Sequence, residues 1–96
     1  NLTITEFKND YLKDITRKRI IITTHGKLRI RGRQHFTDEE IKDIILGKYP
    51  ISIKQNEYNE FELTYNYNKD RNRMVIIVVP HNLIEKSIRL VTTYHD

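Results

Sequence analysis

The chain has 96 residues, which is enough for one domain with a single hydrophobic core. Its net charge is +4 at pH 7, and it has no cysteine, which excludes a disulfide framework and a thiolate metal site. The longest apolar run, residues 74–80, is far too short to span a bilayer, so we expect no membrane segment. Because the chain begins with Asn, we expect residues 1–96 to be one domain taken from a longer protein.

The first predicted element is an amphipathic helix that begins after Thr3. Thr3 and Glu6 have the spacing of a capping box, in which each side chain pairs with the other residue's backbone N–H. Apolar side chains then recur at helical spacing as far as about Thr16. They are Ile4, Phe7, Tyr11, Leu12 and Ile15. We interpret this helix as packing structure.

Residues 15–37 form a block with no acidic residue but with seven Lys or Arg and two His. Such a block in a small domain predicts an anion-binding surface, most simply for nucleic acid. Contacts to the RNA backbone are expected from Arg17, Lys18, Arg19, Lys27 and Arg31. Within the block, His25, Arg29 and Arg33 recur every four residues and would share one face of a helix.

The secondary structure of residues 25–35 has two interpretations. Every second residue from 25 to 35 is basic, and with Gly26 at a turn this period fits a β-hairpin with one basic face. The recurrence every four residues fits a helix, with Thr23 or Thr24 as its N-cap, although two glycines weaken it. Just before this stretch, residues 19–24 predict a short strand or an extended segment.

A second helix is predicted from Thr37 to Gly47, because a capping hydroxyl is followed by acids and by Glu40 at the capping-box position. Strands follow at residues 51–55, 61–67, 74–79 and 87–94, separated by turns at 56–59 and 68–72 and a loop at 80–85. The apolar run 74–79 predicts a central strand buried on both faces. In the last strand, simple alternation places Ile88, Leu90 and Thr92 opposite Arg89, Val91 and Thr93. Helices followed by an antiparallel meander of about four strands predict the α+β class.

From Ile20 to Tyr94 the sequence resembles a family of small bacterial domains of unknown function. The resemblance lies in the H-x3-R-x3-R triplet of His25, Arg29 and Arg33, the helix start at residues 36–41, and the ending Val91-Thr92-Thr93-Tyr94. The turn at residues 34–36 is one residue longer than is usual in that family. The family is grouped with the barnase–EndoU–colicin–RelE superfamily, many of whose members are metal-independent ribonuclease toxins.

The resemblance implies two or three N-terminal helices packed on a curved antiparallel sheet of about four strands, and it favours a helix for residues 25–33. It also implies a ribonuclease toxin that needs no cofactor or metal, that acts in the bacterial cytoplasm, and that is delivered within a larger effector or paired with an antitoxin. RNA and a cognate antitoxin or immunity protein are then the expected partners.

The expected chemistry is cleavage of tRNA or mRNA by attack of the ribose 2′-OH on the neighbouring phosphate. His25 is the candidate acid or base, and Arg29 and Arg33 would hold the scissile phosphate through their planar guanidinium groups. Thr92 and Tyr94 could donate their hydroxyls to phosphate oxygens, and Tyr94 could stack on a base. His95 is a further candidate for RNA binding or for a second acid. The alternatives are a non-catalytic nucleic-acid-binding or phage accessory domain and a protein-interaction module.

Overall fold

The computed structural model describes residues 2–23, 36–66 and 73–95. The described chain is α+β, as predicted. Its helical segments are α1 (Ile4–Phe7), continued by a π-helical turn (Lys8–Leu12), a 3-10 turn (Arg17–Arg19), and α2 (Asp38–Gly47). Its strands are β1 (Ile20–Ile22), β2 (Ser52–Gln55), β3 (Phe61–Asn66), β4 (Arg73–Asn82) and β5 (Ser87–His95).

The five strands form one sheet in the order β1-β5-β4-β3-β2. Neighbouring strands are antiparallel except β1 and β5, which run parallel with Ile20 opposite Ile88 and Ile22 opposite Leu90. The meander from β2 to β5 is the predicted four-stranded part. The predicted count is one strand short because Ile20–Ile22, within the predicted short strand or extended segment at residues 19–24, joins the sheet at its edge as β1.

The first helix begins as predicted, with the Thr3 and Glu6 capping box formed. It ends earlier than predicted, and its last turn is π-helical, with the N–H of Lys13 donating to the carbonyl oxygen of Lys8 at 3.0 Å. Tyr11 and Leu12, which lie on this π turn, are both buried, as the predicted apolar stripe requires.

The second helix matches its prediction. Thr37 caps it by accepting from the N–H of Glu40 at 3.1 Å, and the Glu40 carboxylate accepts from the N–H of Thr37 at 3.2 Å. Ile41 and Ile45 are buried against the sheet, and the helix ends at Gly47. Its short connection to β2 contains Tyr49 and Pro50.

The core lies between one face of the sheet and the helices. Phe7 stacks on Phe61 with ring centroids 4.0 Å apart and on Tyr11 at 5.6 Å, which joins α1 to β3. The sheet contributes the alternate residues of its central strands to this core: Phe61, Leu63, Tyr65, Met74, Ile76, Val78, Ile88 and Leu90. The opposite face, called the open face below, has none of the described helices packed on it.

Strand β4 is the middle strand, as its apolar run predicts. The described helices pack on one of its faces, and Val75 on the other face is also buried, at 5% exposed. The predicted loop at residues 80–85 is wrong at its start, because β4 continues through Pro80 to Asn82. Proline lacks a backbone donor, and the register shift between Pro80 and Asn82 accommodates it inside the ladder. The turn itself occupies residues 83–86, where the Asn82 side chain accepts from the N–H groups of Ile84 and Glu85.

The predicted turn at residues 56–59 is confirmed. The Asn56 side-chain oxygen accepts from the N–H groups of Tyr58 and Glu60 at 2.9 and 3.0 Å, and Asn59 has a left-handed backbone with φ of 60°. The helix or hairpin predicted for residues 25–33, the turn at 68–72 and the position of Tyr67 lie outside the described residues.

Candidate nucleic-acid interface

A β-bulge at Val91 decides which residues of β5 face outward. Ile77 pairs with Thr92 but Val78 pairs with Leu90, so Val91 is an extra residue in the ladder. Beyond it the alternation is inverted, and Thr93, not Thr92, joins the core side, where it is 3% exposed. The prediction that Thr92 shares a face with Ile88 and Leu90 is therefore wrong, since simple alternation cannot count a bulge.

Thr92 and Tyr94 consequently lie together on the open face. Thr92 is opposite Ile77 and partly exposed, whereas Tyr94 is opposite Val75 and 38% exposed. Residues two apart on a strand share a face, and directly paired residues on neighbouring strands have Cβ atoms about 5 Å apart. Thr92 and Tyr94 thus lie beside Ile77, which is partly exposed, and Val75, which is only 5% exposed.

Two arginines not assigned to the site from the sequence share this face. Arg73 begins β4, two residues before Val75 and therefore on the same side of that strand. Arg89 is opposite Val79 and Ile21. It precedes the Val91 bulge in β5, whereas Thr92 follows it. Arg73 could have been found by extending the alternation of β4 back one step, but Arg89 joins Thr92 only through the bulge.

One carboxylate also lies on the open face. Glu62 pairs with Ile77 on one side and with Lys54 on the other, so Thr92, Ile77, Glu62 and Lys54 form one row across four strands. Lys54 is exposed and is the cross-strand neighbour of Glu62, so the row carries one charge of each sign.

The cluster of Arg17, Lys18 and Arg19 forms the 3-10 turn that leads into β1. The guanidinium of Arg17 is bound by the carboxylates of Glu39 and Asp43 on α2. The Asp43 hydrogen bond and the two charges raise the pKa of Arg17 above its usual value. Lys18 is exposed and Arg19 partly so, which leaves these two as the cations of the cluster better placed for a phosphate backbone.

Several predicted site residues are not placed. His25, Lys27, Arg29, Arg31 and Arg33 lie outside the described residues. The backbone of His95 pairs with Met74 at the end of β5. His81, which was not assigned to the site, is exposed at the far end of β4.

Connectivity relates the basic block to the open face. β1 is parallel to β5, and Ile22 pairs with Leu90, so the chain leaves β1 at Thr23 beside the half of β5 that carries Thr92 and Tyr94. An antiparallel edge strand would have directed it to the opposite end of the sheet. Thr23, the last described residue of this range, therefore lies towards the end of the sheet that carries Thr92 and Tyr94.

Across the three described ranges, no three His, Asp or Glu side chains are grouped closely enough to hold a metal ion. Nor does any helix in those ranges have the length and hydropathy to cross a bilayer. No family model, curated protein or solved structure matches this chain.

Proposed function

We propose that this chain is a metal-independent ribonuclease domain of the barnase–EndoU–colicin–RelE type. The observation that supports the proposal best is the joint position of Thr92 and Tyr94 on the open face, beside β1, the strand that precedes His25, Arg29 and Arg33 in the chain. A face that carries a partly exposed threonine, a tyrosine and two arginines suits a single-stranded RNA segment.

The proposed reaction is an internal transesterification. A base removes the proton of the ribose 2′-OH, the oxygen attacks the adjacent phosphorus, and the bond from phosphorus to the 5′-oxygen breaks as an acid protonates that oxygen. The products are a 2′,3′-cyclic phosphate and a free 5′-hydroxyl. His25 is proposed as the acid or base, and Arg29 and Arg33 as the cations that stabilise the charge developing on the phosphate oxygens.

Thr92 and Tyr94 are proposed to complete the site from the sheet. The Thr92 hydroxyl would donate to a non-bridging phosphate oxygen, and the Tyr94 ring would stack on a base. Lys18, Arg19, Lys27 and Arg31 would bind flanking phosphates without reading sequence, and His95 is proposed as a further RNA-binding residue or second acid. Arg73 and Arg89 are added to this group because they share the open face.

A toxin role follows from the same proposal. An enzyme of this kind, acting in the bacterial cytoplasm, would need a cognate antitoxin or immunity protein in the producing cell. Such a partner would carry acidic residues where it covers the basic surface. Delivery within a larger effector and action in a toxin–antitoxin pair are the two settings that the proposal allows.

The second candidate is a nucleic-acid-binding domain without catalysis. The observation that favours it is the presence of Arg73 and Arg89 on the open face, since these cations would bind a phosphate backbone whether or not a reaction followed. The two functions differ in their need for an acid or base. Binding should tolerate loss of one imidazole, whereas general acid–base catalysis should not.

The test is cleavage of a fluorescent single-stranded RNA by purified protein in EDTA, for wild type, His25→Ala and His81→Ala. His81 is the matched control, because it is exposed on β4 away from Thr92 and Tyr94. The proposal expects cyclic-phosphate products from wild type and His81→Ala, and a loss of about 100-fold or more in His25→Ala. Induced expression of the same three proteins should arrest growth only where cleavage occurs.

Equal RNA binding by all three folded proteins with no cleavage would refute the nuclease and support the second candidate. Absence of both binding and cleavage would refute both and leave a protein-interaction module.

A further inference from the structure

Two clefts flank the segment that connects α2 to β2. The first, of about 170 Å³, has aliphatic walls formed by Leu12, Ile15, Ile45 and Leu46. The second, of about 240 Å³, is lined by Ile4, Ile51 and Ile53. Tyr49 and Pro50 contribute to both clefts and form the ridge between them.

The ridge and the residues beside it carry bulky apolar side chains that are exposed to solvent. Tyr49 is 64% exposed and Ile51 49% exposed, and Ile4 at the border of the second cleft is 36% exposed. Bulky apolar groups gathered in this way, rather than scattered singly, mark surfaces that bind another molecule. Neither cleft is needed by the RNA chemistry proposed above.

The charges around the two clefts have one sign. Within the described ranges, the charged side chains that line them are Lys13 and Lys48 in the first and Lys8 in the second, and no carboxylate lines either. The Nζ of Lys48 donates to the carbonyl oxygen of Asn66 at 2.9 Å, which fixes this ammonium beside β3. An ammonium has three donors, so Lys48 can still bind a carboxylate.

We propose that these two clefts bind an acidic segment of a partner protein, with one bulky apolar side chain in each cleft and carboxylates against the three lysines. A cavity of about 150 Å³ can hold a benzene ring, so each cleft has room for one apolar side chain. Two tyrosines line the clefts, Tyr49 in both and Tyr65 in the first, but aliphatic side chains form most of the walls and neither cleft contains an arginine. This lining favours a protein segment over RNA, because bases bind mainly by stacking on aromatic or guanidinium planes.

The surface is separate from the candidate nucleic-acid interface. β2 and β5 have β4 and β3 between them in the sheet, which separates them by about 14 Å at the usual strand spacing. Leu12 and Ile45 also lie on the helix side, whereas Thr92 and Tyr94 lie on the open face. The inference goes beyond the proposed function and does not rest on it.

The test is a titration of ¹⁵N-labelled protein with a synthetic acidic peptide that carries two leucines four positions apart. A second peptide has serine in place of both leucines, and a third has glutamine in place of the acids. A uridine oligonucleotide is the RNA probe. The protein variants are Tyr49→Ala and the double variant Lys13→Glu/Lys48→Glu. Tyr58→Ala and Lys54→Glu are the controls, because both residues are exposed and line neither cleft.

We expect the acidic leucine peptide to shift the amide signals of Tyr49, Ile51 and their neighbours. We also expect Tyr49→Ala and the lysine double variant each to weaken it by about tenfold, as for a central interface residue. The control variants Tyr58→Ala and Lys54→Glu should bind the acidic leucine peptide as wild type does. The serine peptide and the glutamine peptide should not shift these signals. The inference is overturned if the acidic leucine peptide shifts no localised set of amide signals, or if the glutamine peptide binds equally well. It is also overturned if both cleft variants bind the peptide as wild type does, or if the oligonucleotide binds at these residues more tightly than the peptide. RNA cleavage, measured in parallel, reports on the proposed function independently.

Discussion

The side-chain hydroxyl of Thr93 donates a hydrogen bond of 3.0 Å to the carbonyl oxygen of Val75, on the core side of the sheet. The bond joins β5 to β4 just after the Val91 bulge. Thr92 and Tyr94, the neighbours of Thr93, face the opposite side of the sheet.

Replacing Thr93 by Val should lower the free energy of unfolding by about 1 kcal/mol, the net contribution of one hydrogen bond. Thr92→Val is the matched control, since Thr92 is only partly buried, and its stability should stay within about 0.5 kcal/mol of wild type. Urea denaturation measures both. The rate of RNA cleavage should rank the two variants the other way, with Thr92→Val more impaired than Thr93→Val. Equal effects of the two substitutions on stability would contradict the assignment of opposite faces.

Arg17→Ala should weaken RNA binding less than Arg19→Ala, because Glu39 and Asp43 already occupy the Arg17 guanidinium. Removing those carboxylates in a Glu39→Gln/Asp43→Asn variant should release Arg17 and strengthen RNA binding, with a steeper dependence on salt. Fluorescence anisotropy at several salt concentrations checks this. An Arg17→Ala variant that loses more affinity than Arg19→Ala would show that Arg17 binds RNA despite its partners.

Thr37→Ala should destabilise the protein by about 1 kcal/mol, because the N–H of Glu40 loses its acceptor at the start of α2. Thr37→Ser keeps a hydroxyl at the same position and should be close to wild type. Chemical denaturation followed by far-UV circular dichroism measures the difference. If Thr37→Ser were as unstable as Thr37→Ala, the lost methyl contact rather than the cap would be responsible.

Tyr65→Phe should be at least as stable as wild type at pH 7. The Tyr65 hydroxyl is buried, and no hydrogen-bond partner for it is found in the described part of the chain, so its removal relieves an uncompensated loss of hydration. Burial also raises the pKa of Tyr65 above its usual value. Tyr11 has the same two features, with the charge of Asp10 as a smaller cause of its raised pKa.

The sign of the pH dependence follows from those shifts. Between the unfolded pKa near 10 and the higher folded pKa, the unfolded state loses its phenol proton first, so stability falls as pH rises. Tyr65→Phe should reduce that alkaline loss relative to wild type. Urea denaturation at pH 8 and at pH 10.5 gives the comparison. An unchanged alkaline slope in Tyr65→Phe would assign the titration to other groups.

The sequence predicted the elements whose signals are local. The capping boxes at Thr3 and Thr37 and the apolar stripe of α2 depend on residues a few positions apart, and the structure confirms them. The predictions failed where tertiary packing overrides the local period. The π turn before Lys13 and the continuation of β4 through Pro80 are the two examples, and no local pattern marks either.

For the candidate site too, the sequence predicts what depends on local patterns and not what depends on distant contacts. That Thr92 and Tyr94 share a face follows from a period of two, but which face they share depends on the Val91 bulge, and no local pattern marks it. Likewise, β1 could be recognised from its β-branched residues, whereas its parallel pairing with β5 is a contact between distant segments. The roles of His25, Arg29 and Arg33 stay predictions.

The position of β5 in the sheet also affects when the domain can fold. β5 follows every other described strand in the chain, yet it lies between β1 and β4 and is the only described neighbour of β1. During synthesis, β1 therefore stays unpaired and β4 keeps one open edge until the ribosome has released the strand that carries Thr92 and Tyr94. The sheet and the proposed active surface are completed by the same late step, so an unfinished nascent chain has neither.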